Sequence, residues 1–522
     1  MSLRIGIDVG STHTDAVIVD KDNRLIAATK VVTSPDVTSG VLEALTKIVK
    51  ESGVDPSEVA AAMFGTTHCL NAILQRKDLA RVAVIRIGLP ATAAVEPMVD
   101  WPPDLRRAVG DLKFLVEGGH EYTGEEISPL NEARLREICR EVKGKVEAVA
   151  ITSVFSPVNP DHEVRAAEIV REELGEIPVT MSSEISTLGL LERENSAILN
   201  AAVTFVANRA IQAFLEVMRS LGLEKAKLYL TQNDGTVMEA KHAAKYPIFT
   251  VATGATNSLR GAQMLTGIKD AIVVDVGGCT TNVGMLVKGF PRESTIHVEI
   301  GGVRTNFRMP DIFSIGIAGG SIVRVDDGRV CVGPESVGHE LVKCGLAWGG
   351  NVVTATDVAL ALGVMSIEDP NCKPELARRQ LDPELARKAY EIIVEGVEYA
   401  IDRVKTRPEP MPVILVGGGS LMLPTRLRGA SKVIRPEHAQ SANAIGAATA
   451  KTGAQIDKAY SLEHLSREKA LEDAKISAVA KAVEAGADPN TVEIVEIEEI
   501  AMPYLPGNAV RIRVKAVGEI KL

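Results

Sequence analysis

The chain has 522 residues, too many for one ordinary hydrophobic core, so two or three domains are expected. Aromatic residues make up 3% of the chain and the net charge is −10, which argues against a base-stacking surface and against general attraction to nucleic acid or an anionic membrane. The six cysteines form no CxxC pair and no apolar run reaches membrane-spanning length, so we predict a cytoplasmic protein without disulfides.

The first part of the chain alternates predicted strands with predicted helices. Hydrophobic periodicity and turn signals predict, in chain order, two strands within 3–20, a strand at 25–33, a helix at 37–52, a buried strand before a Gly-Thr-Thr turn at 65–67, a helix after that turn, and a buried strand at 146–156 between helices at 131–143 and 161–174. This alternation predicts an α/β fold with a mainly parallel or mixed sheet.

A long helical pattern at 184–221 is predicted to lead into a second lobe. The elements predicted after it are a strand at 226–234, a strand–turn–strand at 271–288, an amphipathic helix at 381–405, an apolar strand running into three glycines at 412–424, and a small-residue helix at 441–450. After Gly453, a charged helix and two strands predict a small α+β appendage. We therefore divide the chain into an N-terminal lobe at 1–185, a C-terminal lobe at 186–452 and the appendage at 453–522.

Three glycine-centred segments stand out: DVGSTHTDAVIVD at 8–20, DVGGCTTNVGMLV at 275–287 and VGGGSLMLP at 416–424. In the first two, an aspartate at the end of a buried strand precedes a glycine turn, hydroxyl side chains and a second strand. Glycine in such a turn permits positive φ and lets backbone amides approach an anion. Hydroxyls can donate hydrogen bonds to phosphate oxygens, and an ionised carboxylate suits a hydrated Mg²⁺.

Each segment also has a plain interpretation, because one such turn is most often a hairpin and a triple glycine is most often a loop. The occurrence of all three segments in one chain favours a nucleotide site over three unrelated turns. Two similar hairpins lie 267 residues apart, and a GGGS segment follows an apolar strand. A Walker A phosphate loop is absent from the sequence, so that class of nucleotide site loses its main support.

The order of these segments resembles the actin/sugar-kinase/heat-shock-protein ATPase superfamily. The resemblance implies an α/β protein with two ribonuclease-H-like lobes that hold ATP and Mg²⁺ in the cleft between them. It implies a first phosphate loop with Asp8, Gly10, Ser11, Thr12 and Thr14, a second with Asp275, Gly277, Gly278, Thr280 and Thr281, an adenosine segment with Gly417, Gly418, Gly419 and Ser420, and metal contacts from Asp8 and Asp275.

A narrower resemblance covers residues 4 to about 450. GIDVGSTHTDAVIVD, GTTHCLNAILQRK, FSPVNPDHE, SIGIAGGSIVRVDDGRVCVGPESVG and VTATDVALALG are together similar to the A-type, ATP-binding subunit of the hydantoinase/5-oxoprolinase family. This resemblance implies ATP-dependent opening of a cyclic amide, or a related carboxylation. The A-type subunit phosphorylates an amide or enol oxygen, and a separate B-type subunit completes the reaction, so a homo- or hetero-oligomer is expected.

Other residues are candidates for catalysis or substrate binding. Asp15 matches the family motif and is predicted to hold metal or orient the acceptor, with a solvated turn aspartate as the alternative. Substrate contacts are predicted for His13, Thr66, Thr67, His68 and Asn71, with helix capping as the alternative for the two threonines. Gly319, Gly320 and Ser321 are predicted to form an anion-binding turn or a site of tight packing.

One departure from the family pattern leaves other functions open. Asn282 stands in the second phosphate loop where the family usually has an aspartate. A small-molecule kinase that releases a stable phosphorylated product, or a carboxylase subunit, is an alternative enzyme. A nucleotide-gated scaffold without small-molecule turnover is the alternative from a different class.

Overall fold

The computed structural model describes residues 2–10, 12–32, 37–294, 298–463, 465–503 and 508–521. Its strands are β1 Leu3–Val9, β2 His13–Val19, β3 Leu25–Val32, β4 Val59–Gly65, β5 Val82–Leu89, β6 Leu112–Glu117, β7 Ala148–Ser153, β8 Val179–Met181, β9 Lys227–Thr231, β10 Val237–Glu239, β11 Ala271–Val276, β12 Thr281–Val287, β13 Phe290–Pro291, β14 Val298–Ile300, β15 Val303–Thr305, β16 Ile312–Ile315, β17 Ser321–Asp326, β18 Arg329–Ser336, β19 Met411–Val416, β20 Ala430–Ile434, β21 Thr452–Tyr460, β22 Glu493–Ala501 and β23 Val510–Gly518. Its helices are α1 Val37–Ser52, α2 His68–Gln75, α3 Pro103–Val109, α4 Glu132–Val142, α5 Asp161–Leu174, α6 Ser182–Ile185, α7 Leu190–Ser220, α8 Ala240–Lys245, α9 Thr253–Thr266, α10 Leu341–Cys344, α11 Ala355–Ala361, α12 Pro374–Gln380, α13 Pro383–Val404, α14 Ala442–Ala448 and α15 Arg467–Glu484.

Two of the sheets share one topology. In the first, β3, β2 and β1 are antiparallel neighbours, and β4 and β9 extend the sheet parallel to β1. In the second, β16, β12 and β11 are antiparallel neighbours, and β19 and β20 extend it parallel to β11. The central strands β1 and β11 are buried along their whole length, as a sheet covered on both faces requires. This repeated order confirms the predicted pair of ribonuclease-H-like lobes.

Helices α9 and α14 pack against each other between the two sheets. Helix α14 lies on β1 and β2 of the first sheet, and α9 lies on β11 and β12 of the second. The helices approach closely through glycine: a β-carbon on Gly261 would overlap the carbonyl of Ala442, and one on Gly446 would overlap the carbonyl of Asn257. The small-residue pattern predicted for 441–450 is therefore used for backbone contact between the lobes.

A four-stranded parallel sheet with the order β6, β5, β7, β8 is inserted between β4 and β9 of the first sheet. Helices α4 and α5 cover one face and α7 covers the other. A fully buried ion pair joins this sheet to α7, with Arg86 Nε and Nη2 each 2.6 Å from the carboxylate of Glu194. Both charges are desolvated, so loss of either partner would leave the other charge buried and unpaired. That loss would destabilise the contact between the inserted sheet and α7.

Helix α7 is the one described helix long and apolar enough to span a membrane by length and composition. The sequence analysis predicted this helix within 184–221 but found no apolar run of membrane-spanning length, because charged residues interrupt the pattern. Buried residues make up 61% of its most apolar stretch, and the helix packs against β5, β7 and β8 of the inserted sheet. The six cysteines are free, in agreement with the absence of a predicted disulfide framework.

Strand pairing differs from the sequence-based division of the chain at two places. Strand β9, at the start of the stretch 226–234, pairs with β4 and so completes the first sheet rather than the second. The 453–522 segment has the predicted α+β content, but β21 pairs with β10 and continues the first sheet into β23 and β22. Local hydrophobic pattern predicts that a strand forms, whereas the sheet that it joins depends on contacts with distant strands.

Candidate functional site

The two predicted loops are hairpin turns closed by equivalent hydrogen bonds. Gly10 N donates to His13 O at 3.0 Å, and Gly277 N donates to Thr280 O at 3.0 Å. In each hairpin the aspartate lies one residue before the end of the first strand, so Asp8 is opposite Asp15 and Asp275 is opposite Asn282. The two hairpins are therefore equivalent parts of the two lobes, and they differ in charge at one position.

The two turns are in contact with each other. A β-carbon on Gly278 would overlap the methyl group of Thr12, so this position needs glycine for close approach. Gly10, Gly277 and Gly278 do not have the positive φ that the sequence analysis allowed for. Gly278 is needed because a side chain would not fit beside Thr12. Thr12 is half-buried, with its hydroxyl 3.1 Å from His13 Nδ1, and Thr280 is exposed. Ser11 lies outside the described residues.

Three predicted cofactor hydroxyls are buried instead of facing the cleft. Thr14 is fully buried in β2, and Thr281 is fully buried with its hydroxyl donating to Ile317 O at 2.5 Å. Ser420 is 1% exposed and donates to Gly417 O at 2.7 Å. Thr281 and Ser420 therefore hold the backbone around the cleft, and the prediction that their hydroxyls face a phosphate or adenosine is not supported by their placement.

Asp8 and Asp275 are buried near the ends of β1 and β11 and share one amide. Asn443 of α14 donates to Asp8 Oδ2 at 3.2 Å and also hydrogen-bonds Asp275. Asn257 of α9 donates to Asp8 Oδ1 at 3.1 Å, and Ser258 hydrogen-bonds Asp275. Sequence reasoning missed these two asparagines. A signal was present for Asn443, the one polar residue of α14, whereas Asn257 lies in a helix with many other polar residues.

Burial raises the pKa of both carboxyl groups by more than their hydrogen bonds lower it. Burial raises the pKa of Asp8 to about 6 against the hydrogen bonds from Asn257 and Asn443, and burial likewise raises the pKa of Asp275 to about 6. Two desolvated carboxylates near each other, hydrogen-bonded by neutral groups, form an oxygen donor set that suits Mg²⁺ and its waters. The residues present thus fit the predicted metal contact.

We expect these two carboxylates to make the metal-free protein less stable as the pH rises. In the unfolded chain an aspartate ionises near pH 4, whereas in the folded protein Asp8 and Asp275 hold their protons up to about pH 6. Between these values the unfolded state binds fewer protons, so the free energy of unfolding falls by about 2–3 kcal/mol for each group. Urea unfolding at pH 4.5 and pH 7 measures this. The difference should shrink in Asp8→Asn/Asp275→Asn, and an equal difference in both proteins would contradict the assignment.

Asp15 is paired with a lysine rather than solvated. Lys30 Nζ lies 2.6 Å from its Oδ1 and 2.7 Å from its Oδ2. Burial, and to a smaller extent the positive charge of the same lysine, lowers the pKa of His13 to about 4. This imidazole is therefore neutral at physiological pH. Asp15 thus lies beside the turn in a close ion pair with Lys30, and burial, which outweighs that pair, raises the pKa of its carboxyl.

The predicted adenosine segment follows β19, the strand parallel to the Asp275 strand. Gly417 has φ of +82°, and a β-carbon there would overlap Asp275 Oδ1. Gly418 is exposed, with open space where a side chain would be. Gly418 therefore leaves open backbone next to the second turn, whereas Gly417 and Gly419 are packed against Asp275 and Val276.

The segment 319–321 supports the second turn instead of binding an anion. Gly319 N donates to Gly277 O at 3.1 Å and Gly320 N donates to Gly278 O at 2.8 Å. Ser336 Oγ donates to Gly278 O at 3.2 Å. With both glycine amides engaged, the predicted anion-binding turn is absent here, and the tight-packing alternative is the correct one.

The predicted substrate residues after β4 lie at the same edge of the first sheet as Asp8, because Gly65 pairs with Asp8. Thr66 is buried, and its hydroxyl hydrogen-bonds the His68 ring and accepts from His68 N at 3.2 Å. Asn71 Nδ2 donates to the hydroxyl of Thr67 at 3.3 Å. Thr67 is the residue before helix α2 but makes no side-chain capping bond. This group is near the carboxylates and is held by its own hydrogen bonds.

The FSPVNPDHE motif has a structural role in the inserted sheet. Glu163 is fully buried and accepts from Ser153 N at 2.8 Å and Ser183 N at 2.9 Å. His162 Nδ1 accepts from Gly119 N at 2.9 Å, and its Nε2 lies 3.0 Å from Glu126 Oε1. Both nitrogens of this ring are occupied, so the nearby His120, Glu126 and His162 are not assigned as a metal site.

The sequence matches two models of one family: the hydantoinase/oxoprolinase N-terminal region over residues 4–174 and hydantoinase/oxoprolinase over residues 193–456. Caprolactamase subunit alpha of Pseudomonas jessenii is 28% identical over 390 residues, which are 70% of this chain and 55% of that protein. The acetophenone carboxylase gamma subunit of Aromatoleum aromaticum is 30% identical over 400 residues, 69% of this chain and 53% of that protein. The chain spans about half the length of these curated relatives.

The fold has a solved counterpart. The crystal structure of the ATP-dependent caprolactamase from Pseudomonas jessenii superimposes with a TM-score of 0.78 at 20% identity, covering 99% of this chain and 88% of that one. At this identity the similarity shows the fold alone, and it agrees with the two lobes that the strand order defines. Since the family matches cover most of the sequence in the expected order, the chain belongs to the hydantoinase/oxoprolinase family.

Proposed function

We propose that this chain is the ATP-binding, A-type subunit of an enzyme that activates a small cyclic amide by phosphorylating its carbonyl oxygen. The observation that carries the proposal is the pair Asp8 and Asp275, one from each hairpin, held by a common amide from Asn443. Such a pair between two glycine turns fits a triphosphate and its Mg²⁺. Membership of the hydantoinase/oxoprolinase family supports the use of ATP.

Each part of the cleft has a separate task in this proposal. The amides of the two turns and the hydroxyls of Thr12 and Thr280 would hold the phosphates, and Asp8 and Asp275 would hold the metal waters. Bound Mg·ATP would supply the phosphoryl group and neutralise its developing charge. Asp15 and neutral His13 would orient the acceptor. Alignment of donor and acceptor in a cleft that excludes water is then the main source of rate enhancement.

The chemistry explains why a second subunit is proposed. An amide carbon is a poor electrophile, and a phosphate ester on its oxygen gives the carbon a good leaving group. The bond that forms joins the γ-phosphorus to the amide oxygen, and the bond that breaks releases ADP. Ring opening by water is then the task of a B-type subunit. The named relatives are subunits of larger enzymes, which supports a hetero-oligomer.

Three other functions are alternatives. A carboxylase subunit is favoured by the acetophenone carboxylase gamma subunit, at 30% identity. A nucleotide-gated scaffold is favoured by Asn282, which removes from the second hairpin the carboxylate that Asp15 supplies in the first. A small-molecule kinase shares the cleft and differs in its product. These alternatives are separated by what is consumed and what is released.

The test is an ATP turnover screen with hydantoins, 5-oxoproline and lactams, with and without a B-type protein encoded nearby. We expect phosphate release that depends on one cyclic amide and rises when the B-type protein is added. A phosphorylated product that persists would favour the kinase, and bicarbonate dependence would favour the carboxylase. Nucleotide-dependent binding of a protein partner, without turnover of any small molecule, would contradict the enzyme proposal.

A further inference from the structure

One basic side chain stands in a row with the two acids of the first hairpin. In the register of the first sheet, Asp8 of β1 is opposite Asp15 of β2, and Asp15 is opposite Lys30 of β3. Residues opposite each other on neighbouring antiparallel strands point to the same face of the sheet, with β-carbons roughly 5 Å apart. The three side chains therefore form one line, which begins at a carboxylate assigned to the metal and ends at an ammonium group.

This row lies on the face of the sheet that the helices between the lobes cover. Gly6 is two residues before Asp8 in β1 and so shares its face, and a β-carbon on Gly6 would overlap the carbonyl of Ala444 in α14. Asn443 of α14 and Asn257 of α9 donate to the two oxygens of Asp8 at 3.2 and 3.1 Å. The row therefore points from the first sheet toward the second lobe.

The ammonium of Lys30 is held in place but is still accessible. Its Nζ lies 2.6 Å from Asp15 Oδ1 and 2.7 Å from Asp15 Oδ2, and 34% of the lysine side chain is exposed against 12% for the aspartate. Burial raises the pKa of Asp275 to about 6, and the positive charge of Lys30 is one of the factors that oppose this rise. The charge of Lys30 thus acts on acids from both hairpins.

Phosphoryl transfer in this site needs positive charge beyond that of one Mg²⁺. Asp8, Asp15 and Asp275 already contribute three carboxylates, and the phosphoryl group in transfer spreads negative charge over its equatorial oxygens. A fixed cationic donor near those oxygens lowers the barrier. Lysine has three N–H donors on a flexible stem, and the contacts with the two oxygens of Asp15 leave at least one of them free.

We propose that Lys30 is a catalytic residue that contacts the γ-phosphate of ATP, and that Asp15, besides orienting the acceptor, holds this ammonium beside the first turn. The γ-phosphorus moves from ADP to the acceptor oxygen as in the proposed function. The lysine keeps its proton, donates a hydrogen bond to a γ-phosphate oxygen and forms no covalent bond. This inference rests on the proposed function and names the residue that distinguishes ATP from ADP in its site.

Calorimetry with two nucleotides tests the inference without turnover. The wild-type chain should bind Mg²⁺ with the non-hydrolysable analogue AMPPNP more tightly than Mg·ADP. Lys30→Met keeps the apolar stem and loses the charge, so it should weaken AMPPNP binding by about tenfold or more and ADP binding by less than about twofold. The control Lys21→Met, in the exposed turn between β2 and β3, should bind both nucleotides like the wild type.

A double variant separates phosphate contact from charge compensation. Lys30→Met leaves Asp15 buried and unpaired, and this alone destabilises the fold. Asp15→Asn/Lys30→Met removes both charges, so it should melt close to the wild type and still bind AMPPNP no more tightly than ADP. If the double variant regains tight AMPPNP binding, Lys30 serves only to compensate Asp15 and the inference is overturned.

The same measurements separate the inference from the proposed function. Equal losses of affinity for the two nucleotides in Lys30→Met, or no loss for either, would overturn the inference and leave the proposed function intact. Lys30-dependent discrimination between AMPPNP and ADP, in a chain that turns over no cyclic amide, would remove the proposed function alone. Failure of the wild type to bind either nucleotide would overturn both.

Discussion

Asp8→Asn and Asp275→Asn will each lower ATP turnover by about 100-fold or more, because each removes one of the two charges that would hold the metal and its phosphates. The loss should appear in kcat/KM for Mg·ATP, measured by phosphate release with the activating cyclic amide. Both side chains are buried, so the variants also need a stability measurement to separate loss of the site from loss of the fold.

The sign of the stability change makes that separation possible. Burial raises the pKa of both carboxyls, so each ionised aspartate destabilises the metal-free fold at pH 7.5. The neutral variants should therefore melt no lower than the wild type in the absence of metal, and Asn443, which is half-buried, can turn its amide to meet the new side chain. The exposed control Asp22→Asn should keep full turnover. More than a tenth of wild-type activity in either variant would contradict the assignment.

Gly446→Ala will destabilise the protein by about 3 kcal/mol and weaken Mg·ATP binding at the same time. The added methyl group would overlap the backbone carbonyl of Asn257 and approach Gly261 N, so no side-chain rotation can make room for it. Helices α9 and α14 must move apart, and this motion carries Asn257 and Asn443 away from Asp8. Urea unfolding and calorimetry with Mg·ATP measure the two effects.

Gly254→Ala is the matched control for this substitution. Gly254 lies in the same helix pair, in α9, and a β-carbon there meets nothing within 4 Å. Alanine should stabilise this helix position by about 0.5–1 kcal/mol, since glycine loses more backbone entropy on folding. If Gly446→Ala is as stable as Gly254→Ala, the close packing of α9 on α14 does not hold the site together.

Much of the fold could be predicted because its elements are locally encoded. Buried apolar strands, the Gly53 helix end and the repeated Asp-Gly-hydroxyl hairpins placed about half of the elements near their observed bounds, whereas β5 and β6 of the inserted sheet and helix α9 were among those not predicted. Sheet membership was not encoded in this way. Strand β9 joins β4 across more than a hundred and fifty residues, and β21 joins the first sheet through a single bridge to β10. No local pattern reports those pairings.

The sequence motifs predicted the two hairpin turns of the site but not the contacts of every side chain in them. Asp8 and Asp275 lie where the motif indicates, but Thr281 and Ser420 use their hydroxyls on the backbone. Strand alternation carries part of this information, because Thr280 and Thr281 must face opposite sides and only one can face the cleft. The partners Asn257 and Asn443 reach the carboxylates from two distant helices, so their role depends on tertiary packing that no turn motif contains.

The hairpins also differ in a way that bears on function. Asp15 is opposite Asp8 and paired with Lys30, whereas the equivalent position opposite Asp275 is Asn282. The first lobe therefore presents the Asp15–Lys30 ion pair beside its turn, and the second presents an uncharged amide whose Oδ1 accepts from Ser314 Oγ at 2.7 Å. We expect acceptor chemistry to be on the side of the first lobe and nucleotide anchoring on the side of the second.

The most direct test of the central claim is a crystal structure of the chain with Mg²⁺ and a non-hydrolysable ATP analogue. We predict a triphosphate between the Gly10 and Gly277 turns, Mg²⁺ bound through water to Asp8 and Asp275, and the adenosine beside Gly417–Gly419. A nucleotide bound away from both hairpins, or between the lobes without contact to either aspartate, would contradict the claim.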